Sequence, residues 1–327
     1  MKAEKIGHQI QGIVQCRVLW DKQSRDFYSV DASSYVVKPL VIVFPRNEKE
    51  IIKILRFASK NNISVTPRGA GTGLVGSALG NGIIFDLKHF DKIKVYSNYV
   101  QVDSGVFKGI LDKKLEENDK FFGPDPSVGP YCTIGGMIAT NASGGHSLKY
   151  GSTIDNLIDV KIITSSGKAV NLPSKSQFDN KILKMIKPGI RKKFPFVSKN
   201  SCGYRLDKIT KTTDLHKIIA GSEGTLGIII SAKLKILPLP KKKTLIILSY
   251  RNLEQAAIDS AKIVRLNPSA LELIDKNIIE RIKFDFPSDT MCLLFAEFDS
   301  NLAKSMIDLG KTITCAKIIK TQRKKKI

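Results

Sequence analysis

Glycine recurs at alternate positions in the stretch Pro67-Arg68-Gly69-Ala70-Gly71-Thr72-Gly73-Leu74-Val75-Gly76-Ser77-Ala78. Glycine tolerates positive φ and allows close backbone approach, so successive amides in such a loop can turn toward one anion. A diphosphate is the group this arrangement suits, while a tight turn between two strands is the structural alternative. The dinucleotide fingerprint opens a helix after its glycines. Here a strand pattern follows instead, so the loop is of another kind. It also lacks the Gly-Lys-Ser or Gly-Lys-Thr of a triphosphate-binding loop, which argues against nucleotide hydrolysis.

A second region runs through Phe122-Gly123-Pro124-Asp125-Pro126-Ser127 to Cys132-Thr133-Ile134-Gly135-Gly136-Met137-Ile138-Ala139-Thr140-Asn141-Ala142-Ser143-Gly144-Gly145-His146. Small residues dominate its second half, which lets a flat ligand lie against the backbone. Close helix–strand packing has the same requirement and stays open as an alternative. A third patch, Gly221-Ser222-Glu223-Gly224-Thr225-Leu226-Gly227-Ile228-Ile229, repeats the pattern with one acid. Of the four histidines, His8 and His216 are expected at the surface and His89 in a turn. His146 alone lies within a glycine-rich region, where packing, a phosphate-facing role and catalysis are all open. The five cysteines, Cys16, Cys132, Cys202, Cys292 and Cys315, are scattered without CxxC or CxxH spacing. That argues against a disulfide framework, a structural zinc or an iron–sulfur cluster, and makes a reducing compartment the default.

The elements that must position these loops alternate from about residue 39. Val41–Pro45 is a buried strand, and Asn47 with Glu50 three residues on forms a capping-box pattern. Ile51, Ile52, Leu55 and Ala58 then recur at helical spacing. Strands are expected at Ser64–Thr66 and Ile83–Leu87, and a hairpin over Lys94–Val106 turning at Ser97–Asn98. A helix over Phe107–Asn118 comes next, and a strand pair over Leu157–Thr164 and Gly167–Leu172. Past Lys241-Lys242-Lys243 the pattern changes to strand Thr244–Tyr250, helix Leu253–Leu266, strand Ala270–Ile274 and helix Lys276–Lys283. Strand Met291–Phe298, helix Asn301–Leu309 and strand Thr314–Ile319 complete the chain. This alternation predicts a ferredoxin-like α+β module.

With 327 residues, 42% of them hydrophobic and 25% charged, the chain is an ordinary globular sequence long enough for two domains. Its formal charge of +23 raises nucleic acid or an anionic membrane face as partners. The lysines are spread along the whole chain, with dense runs only at Lys241–Lys243, Arg191–Lys193 and Arg323–Lys326. Solvated surface charge is the first expectation and peripheral membrane contact the second. Basic clusters interleaved with aromatics, as nucleic-acid binding requires, are not present. No signal peptide opens the chain and no apolar run reaches a membrane span, so a cytoplasmic protein, peripheral at most at the inner membrane face, is expected.

The segments PRGAGTGLVGSA, FGPDPS, CTIGGMIATNASGGHSLKYGS and AGSEGTLGIIISAKLKILPLP, in this order, resemble the FAD-linked oxidases. These share the flavin fold of vanillyl-alcohol oxidase and para-cresol methylhydroxylase (PCMH). The D-lactate dehydrogenase, glycolate oxidase FAD subunit and D-2-hydroxyglutarate dehydrogenase branch is the nearest, and Arg25–Tyr35 resembles it too. A UDP-N-acetylmuramate reductase shares the fold but fits FGPDPS and SLKYGS poorly. The resemblance covers roughly residues 20 to 240. It implies an α+β architecture: a lead-in over 1–38, a two-subdomain PCMH-type FAD-binding domain over 39–240, and a partial ferredoxin-like cap over 241–327. It further implies that Arg68, Gly69, Ala70, Gly71, Thr72, Gly73, Gly76 and Ser77 hold the FAD pyrophosphate. Asp125, Thr133, Gly135, Gly136, Ala139 and Asn141 would line the isoalloxazine and ribityl side, and Glu223, Gly227 and Ile228 would sit near the adenosine end or close the site. No histidine stands beside the first loop for covalent attachment, so the FAD is expected to be noncovalent, and no metal is expected.

Members of this branch end in a substrate domain with a histidine-rich HxGDGNxH-type segment. No histidine follows His216 in this chain, and Ser269–Asp275 stands where the family's cap begins. Three expectations follow. The chain is the FAD part of a dehydrogenase for a small 2-hydroxy acid, completed by a C-terminal half or an electron-acceptor partner chain. Alternatively it is a truncated FAD-binding protein with little activity, or, from another class, a basic nucleic-acid binder. Under the first, hydride passes to the flavin, the base resides elsewhere, and His146 is the one local candidate.

Overall fold

The computed structural model describes residues 2–174, 176–187, 189–197, 200–281, 286, 288–299, 310 and 317–321, with the backbone alone for 178 and 317–321. The expected helix Asn301–Leu309, the start of the last strand, part of helix Lys276–Lys283, Cys315 and the basic tail lie outside the described residues.

The chain divides into two compact units. The first comprises Met1–Phe122, Pro126–Ala142 and Thr153–Leu237, the second Gly123–Asp125, Ser143–Ser152 and Pro238–Ile327. The mixed helix-and-sheet content is α+β, as the sequence predicts.

Two sheets build the first unit. One has the order Arg17–Leu19, Val41–Phe44, Ile83–Asp86, Val65–Arg68. Val41–Phe44 and Val65–Arg68 both run parallel to Ile83–Asp86. Every residue of Val41–Phe44 is buried, the signature of a strand covered on both faces. Helix Glu48–Lys60 covers this sheet with Ile51, Ile54, Leu55 and Ala58. Asn47 caps it by accepting from Glu50 N at 3.1 Å. The reciprocal half of the expected capping box is not made. The Glu50 carboxylate instead accepts from Arg46 N at 2.8 Å and from Gln15 N at 3.1 Å, pinning the N-terminal segment to the helix start. Residues before 39 are therefore more than a lead-in. Helix Lys2–Gln11 buries Ile6 and Ile10 in the same core, and strand Arg17–Leu19 pairs antiparallel with Val41–Phe44.

The other sheet is antiparallel throughout, in the order Ile93–Val95, Tyr99–Asp103, Ile228–Lys235, Leu157–Ile163, Ala169–Leu172. Its two local hairpins match the sequence expectation, because each alternates apolar and polar residues about a short polar turn. Ile228–Lys235 arrives from far along the chain and joins the two hairpins through Tyr99–Asp103 and Leu157–Ile163. Helices Lys108–Glu116 and Ile134–Ala139 pack on it through Leu111, Leu115, Ile134 and Met137.

In the second unit, Thr244–Tyr250, Ala270–Asp275, Cys292–Phe298 and Lys317–Thr321 form one antiparallel sheet. With the strands numbered along the chain its order is second, third, first, fourth, as in a ferredoxin-like sheet. Helix Leu253–Val264, capped by Asn252, buries Ala256 and Ile263 against it. No helix among the described residues is long and apolar enough to cross a membrane.

Candidate functional site

Strand Val65–Arg68 ends where the first glycine-rich loop begins, and that loop forms one wall of a cavity of about 220 Å³ inside the first unit. Thr133 forms the opposite corner. Its hydroxyl caps helix Ile134–Ala139 by accepting from Gly136 N at 3.3 Å. The same hydroxyl occupies the space that a Cβ on Gly69 would need, so the first loop and this helix meet only because residue 69 is glycine. Gly135 is equally constrained, since its Cβ would fall 2.7 Å from Ser104 Cβ and 2.9 Å from Ser104 O. The packing explanation for these small residues therefore holds at two positions that also line the cavity.

The third patch closes the far side. Gly221 N donates to Ile138 O at 3.0 Å and Glu223 N to Ala139 O at 2.9 Å, which satisfies the free carbonyls at that helix's C-terminal end. Glu223 adopts φ +48° and accepts a hydrogen bond from Ser77 Oγ at 2.9 Å. Three stretches far apart in sequence are thus hydrogen-bonded or packed around one space.

Of the residues singled out from the sequence, Arg68, Gly69, Ala70, Gly71, Thr72, Gly73, Ser77, Thr133, Gly135, Gly136, Ala139, Glu223 and Gly227 line the cavity. Gly76, Asp125, Asn141 and Ile228 do not. Gly76 turns the loop at φ +77°. Asn141 is fully buried and accepts from Ile154 N at 2.9 Å, bracing the backbone behind the helix. Ile228 is packed in the core of the first sheet. Arg68 reaches the cavity, but its guanidinium donates to Val30 O at 2.8 Å and Tyr28 O at 3.4 Å and lies 5.1 Å from the Tyr28 ring centre. Burial lowers the pKa of this arginine. It holds the loop onto the N-terminal segment and is a weak candidate for a free anion ligand.

Ser104 was not legible from sequence. It is buried, lines the cavity, and its Oγ has no partner among the described residues. An unpaired buried hydroxyl is costly unless a ligand or water completes it. Beside it stand the apolar surfaces of Leu87, Met137 and Ile229. Among the described residues no lysine lines the space, and the Arg68 guanidinium is taken up by carbonyls, so the donors left for an anion are chiefly the amides of the glycine loop. A Cβ on Gly73 would meet nothing within 4 Å, so that stretch of loop is open to a ligand. A diphosphate against neutral amides and a flat ring against apolar walls both fit this lining.

The chain matches the family described as FAD binding domain over residues 39–173. The chain is 30% identical over 289 residues to the D-2-hydroxyglutarate dehydrogenase of Haemophilus influenzae, covering 79% of this chain and 28% of that protein. It is 31% identical over 307 residues to the D-lactate dehydrogenase of Anaerostipes hadrus, covering 88% and 58%. It is 29% identical to the glycolate oxidase subunit GlcD of Bacillus subtilis, covering 87% and 57%. The chain therefore spans from under a third to somewhat over half of these relatives' lengths. Among solved structures, an alkyldihydroxyacetonephosphate synthase superposes with TM-score 0.70 at 20% identity, covering 94% of this chain and 59% of that one. A BBE-like 1 protein of Physcomitrella patens does so with TM-score 0.65 at 13% identity, covering 96% and 62%. These two establish the α+β fold.

His8 and His89 stand where the sequence places them, and His216 does not. His8 is exposed on the N-terminal helix with its ring 4.7 Å from that of Trp20, and His89 is an exposed turn residue. His216, expected at the surface, is buried in a short 3₁₀ helix. Burial, with Lys217 beside it, lowers its pKa. A polar sequence neighbourhood conceals the burial because Leu215 beside it enters the core. His146 belongs to the second unit, together with Asp125. Its Nδ1 is bonded to the Asp125 carboxylate, and its Nε2 lies 2.7 Å from Glu297 Oε1. These two carboxylates raise its pKa to about 9 against the opposing effect of burial. For Glu297, burial works upward, but the bond to His146 and the nearby positive charge outweigh it and hold the pKa at about 2. Ser269 Oγ also donates to Glu297 at 3.1 Å, and Lys243 Nζ lies 3.7 Å away. A histidine protonated at neutral pH, with both nitrogens engaged, has no lone pair to take a proton. It ties segments together.

Proposed function

We propose that this chain is the flavin-holding part of an FAD-dependent dehydrogenase for a small 2-hydroxy acid, of the D-lactate, glycolate or D-2-hydroxyglutarate kind. The observation that carries the proposal is the convergence of three glycine-rich stretches on one cavity whose lining combines backbone amides, an unpaired Ser104 hydroxyl and apolar walls. The names of the relatives support the substrate class.

In this proposal the amides of residues 69–73 bind the diphosphate, and the Ser77 hydroxyl, which donates to Glu223, braces the loop. Gly135, Gly136 and Ala139 let the ring system approach the backbone, and Leu87, Met137 and Ile229 exclude water from it. When bound, FAD supplies a two-electron acceptor for the hydride leaving the substrate's α-carbon. The attachment is noncovalent. Removal of the hydroxyl proton requires a neutral base near the substrate, and the doubly bonded His146 does not qualify. In this reading a C-terminal half or a partner chain supplies the base and the carboxylate clamp. The word "subunit" in the glycolate oxidase name is consistent with a multi-chain arrangement.

The test has two stages. Purified chain should be yellow and should release its flavin into the supernatant on acid precipitation. A colourless protein indifferent to added FAD refutes the flavin assignment. Anaerobic mixing with D-lactate, glycolate or D-2-hydroxyglutarate should then leave the flavin absorbance largely unbleached. Rapid bleaching would show instead that this chain holds its own base.

A further inference from the structure

From Asn180 to Leu206 the sequence contains eight Lys or Arg and no Asp or Glu. The last acid before this stretch, Asp179, is buried and accepts from Ser174 Oγ, so it does not offset the charge at the surface. Helix Gln177–Met185 opens the region. Ile182 and Leu183 pack against the core of the antiparallel sheet, while Lys181, Lys184 and Met185 at helical spacing are exposed. Downstream, the 3₁₀ turn Ile190–Lys193 exposes Lys192 and Lys193. Beyond it Phe196 and Val197 stand in solvent.

The degree of exposure is what needs explaining. Met185 is 80%, Val197 56% and Phe196 107% exposed. None of Lys181, Lys184, Lys187, Lys192 and Lys193 takes part in an ion pair among the described residues. Arg191 is engaged, donating to Ile209 O at 2.7 Å, and Arg205 is paired with Asp207. Unpaired lysines interspersed in sequence with exposed bulky apolar side chains match the chemistry of one kind of surface. Anionic headgroups receive the ammonium groups, and the acyl boundary receives the phenyl and thioether groups.

We propose that helix Gln177–Met185 and residues 189–197 dock the first unit peripherally onto an anionic lipid bilayer, with Met185, Phe196 and Val197 inserted among the headgroups. Nucleic acid would use the same lysines but would have no use for Met185 and Val197, because phosphate contacts carry its affinity. Exposure of three bulky apolar side chains within one lysine-rich stretch of sequence is not what a merely solvated basic segment requires. This placement is independent of the substrate proposed above.

The full chain would be floated with vesicles of phosphatidylcholine alone and of phosphatidylcholine mixed with phosphatidylglycerol. Binding is expected only to the anionic vesicles and should weaken with added salt. Each lysine contributes roughly fivefold to partitioning near an anionic surface, so a K184Q/K192Q/K193Q triple variant should lose about a hundredfold. An M185S/F196S double variant, with the two side chains about half-buried in the headgroup region, should lose roughly tenfold to a hundredfold while keeping its salt dependence. All five positions are exposed, and circular dichroism with FAD binding checks that the variants fold. Phe196→Trp supplies a second readout, since its emission should shift to the blue with anionic vesicles. Unchanged binding by M185S/F196S, or an unshifted tryptophan, overturns the proposal. So does tighter binding to an oligonucleotide that ignores the apolar substitutions, or a concentration-dependent dimer abolished by Phe196→Ser.

Discussion

Replacing Gly73 by aspartate separates a ligand cradle from a structural turn. Most glycines in the loop cannot make that distinction. At Gly71, φ is +69° and a Cβ would lie 2.7 Å from Arg68 Nη2, so any side chain there strains the fold and the cavity together. Gly73 is different. It lines the cavity, its backbone is outside the left-handed region, and an added Cβ meets nothing within 4 Å. Gly73→Asp should therefore leave the folded apo-protein within about 0.5 kcal/mol of wild type, the usual range for an unstrained substitution away from packed groups. A carboxylate about 5 Å from a diphosphate charge, at an effective dielectric constant of about 20, is repelled by about 3 kcal/mol. The half-open loop admits water, so roughly half of that should survive, giving a rise in FAD Kd of about tenfold to a hundredfold. Flavin fluorescence titration measures the affinity, and the urea midpoint of the apo-protein measures the stability. An unchanged Kd in a folded variant would refute the assignment of this loop to the diphosphate. A lost midpoint would refute the claim of open space.

Ser104→Ala removes a buried hydroxyl with no partner among the described residues, so the apo-protein should be as stable or slightly more stable while FAD affinity falls by roughly fivefold to tenfold, the worth of one hydrogen bond; equal affinity would mean the hydroxyl faces no ligand. His146 contributes stability that is complete below its unfolded pKa of 6.5 and is lost as pH rises through its folded value of about 9. Denaturation of the wild type should therefore show stability falling between those values, by on the order of 2–3 kcal/mol, and His146→Gln should flatten the profile. Glu297 acts in the opposite sense, with its contribution present above 4.5 and lost as pH falls toward about 2. Glu50→Ala should destabilise the first unit by about 1–3 kcal/mol through the amides of Gln15 and Arg46 that lose their acceptor, as read from urea midpoints.

The strands and helices with a clean period were legible in the sequence. Val41–Phe44, helix Glu48–Lys60 and the two hairpins of the antiparallel sheet occur where apolar residues recur at intervals set by the backbone itself. The glycine stretches were legible too, because only glycine permits the close approaches found at Gly69 and Gly135. Those signals are local, and local geometry depends on a few neighbouring residues.

What the tertiary structure alone decided is which distant groups meet. Ser104 carries no motif, and becomes a site residue only because Gly135 packs onto its backbone. Arg68 stands in the loop like an anion ligand, yet the N-terminal segment draws its guanidinium away to the carbonyls of Tyr28 and Val30. Asp125 reads as part of a cofactor motif, but its carboxylate bonds to His146 in the second unit, and Glu297, far along the chain, completes that cluster. His216 sits among polar neighbours and is nonetheless buried. Periodicity fixes which face a residue occupies. What that face meets depends on contacts across hundreds of residues, where burial and charge are settled only once the chain has closed on itself.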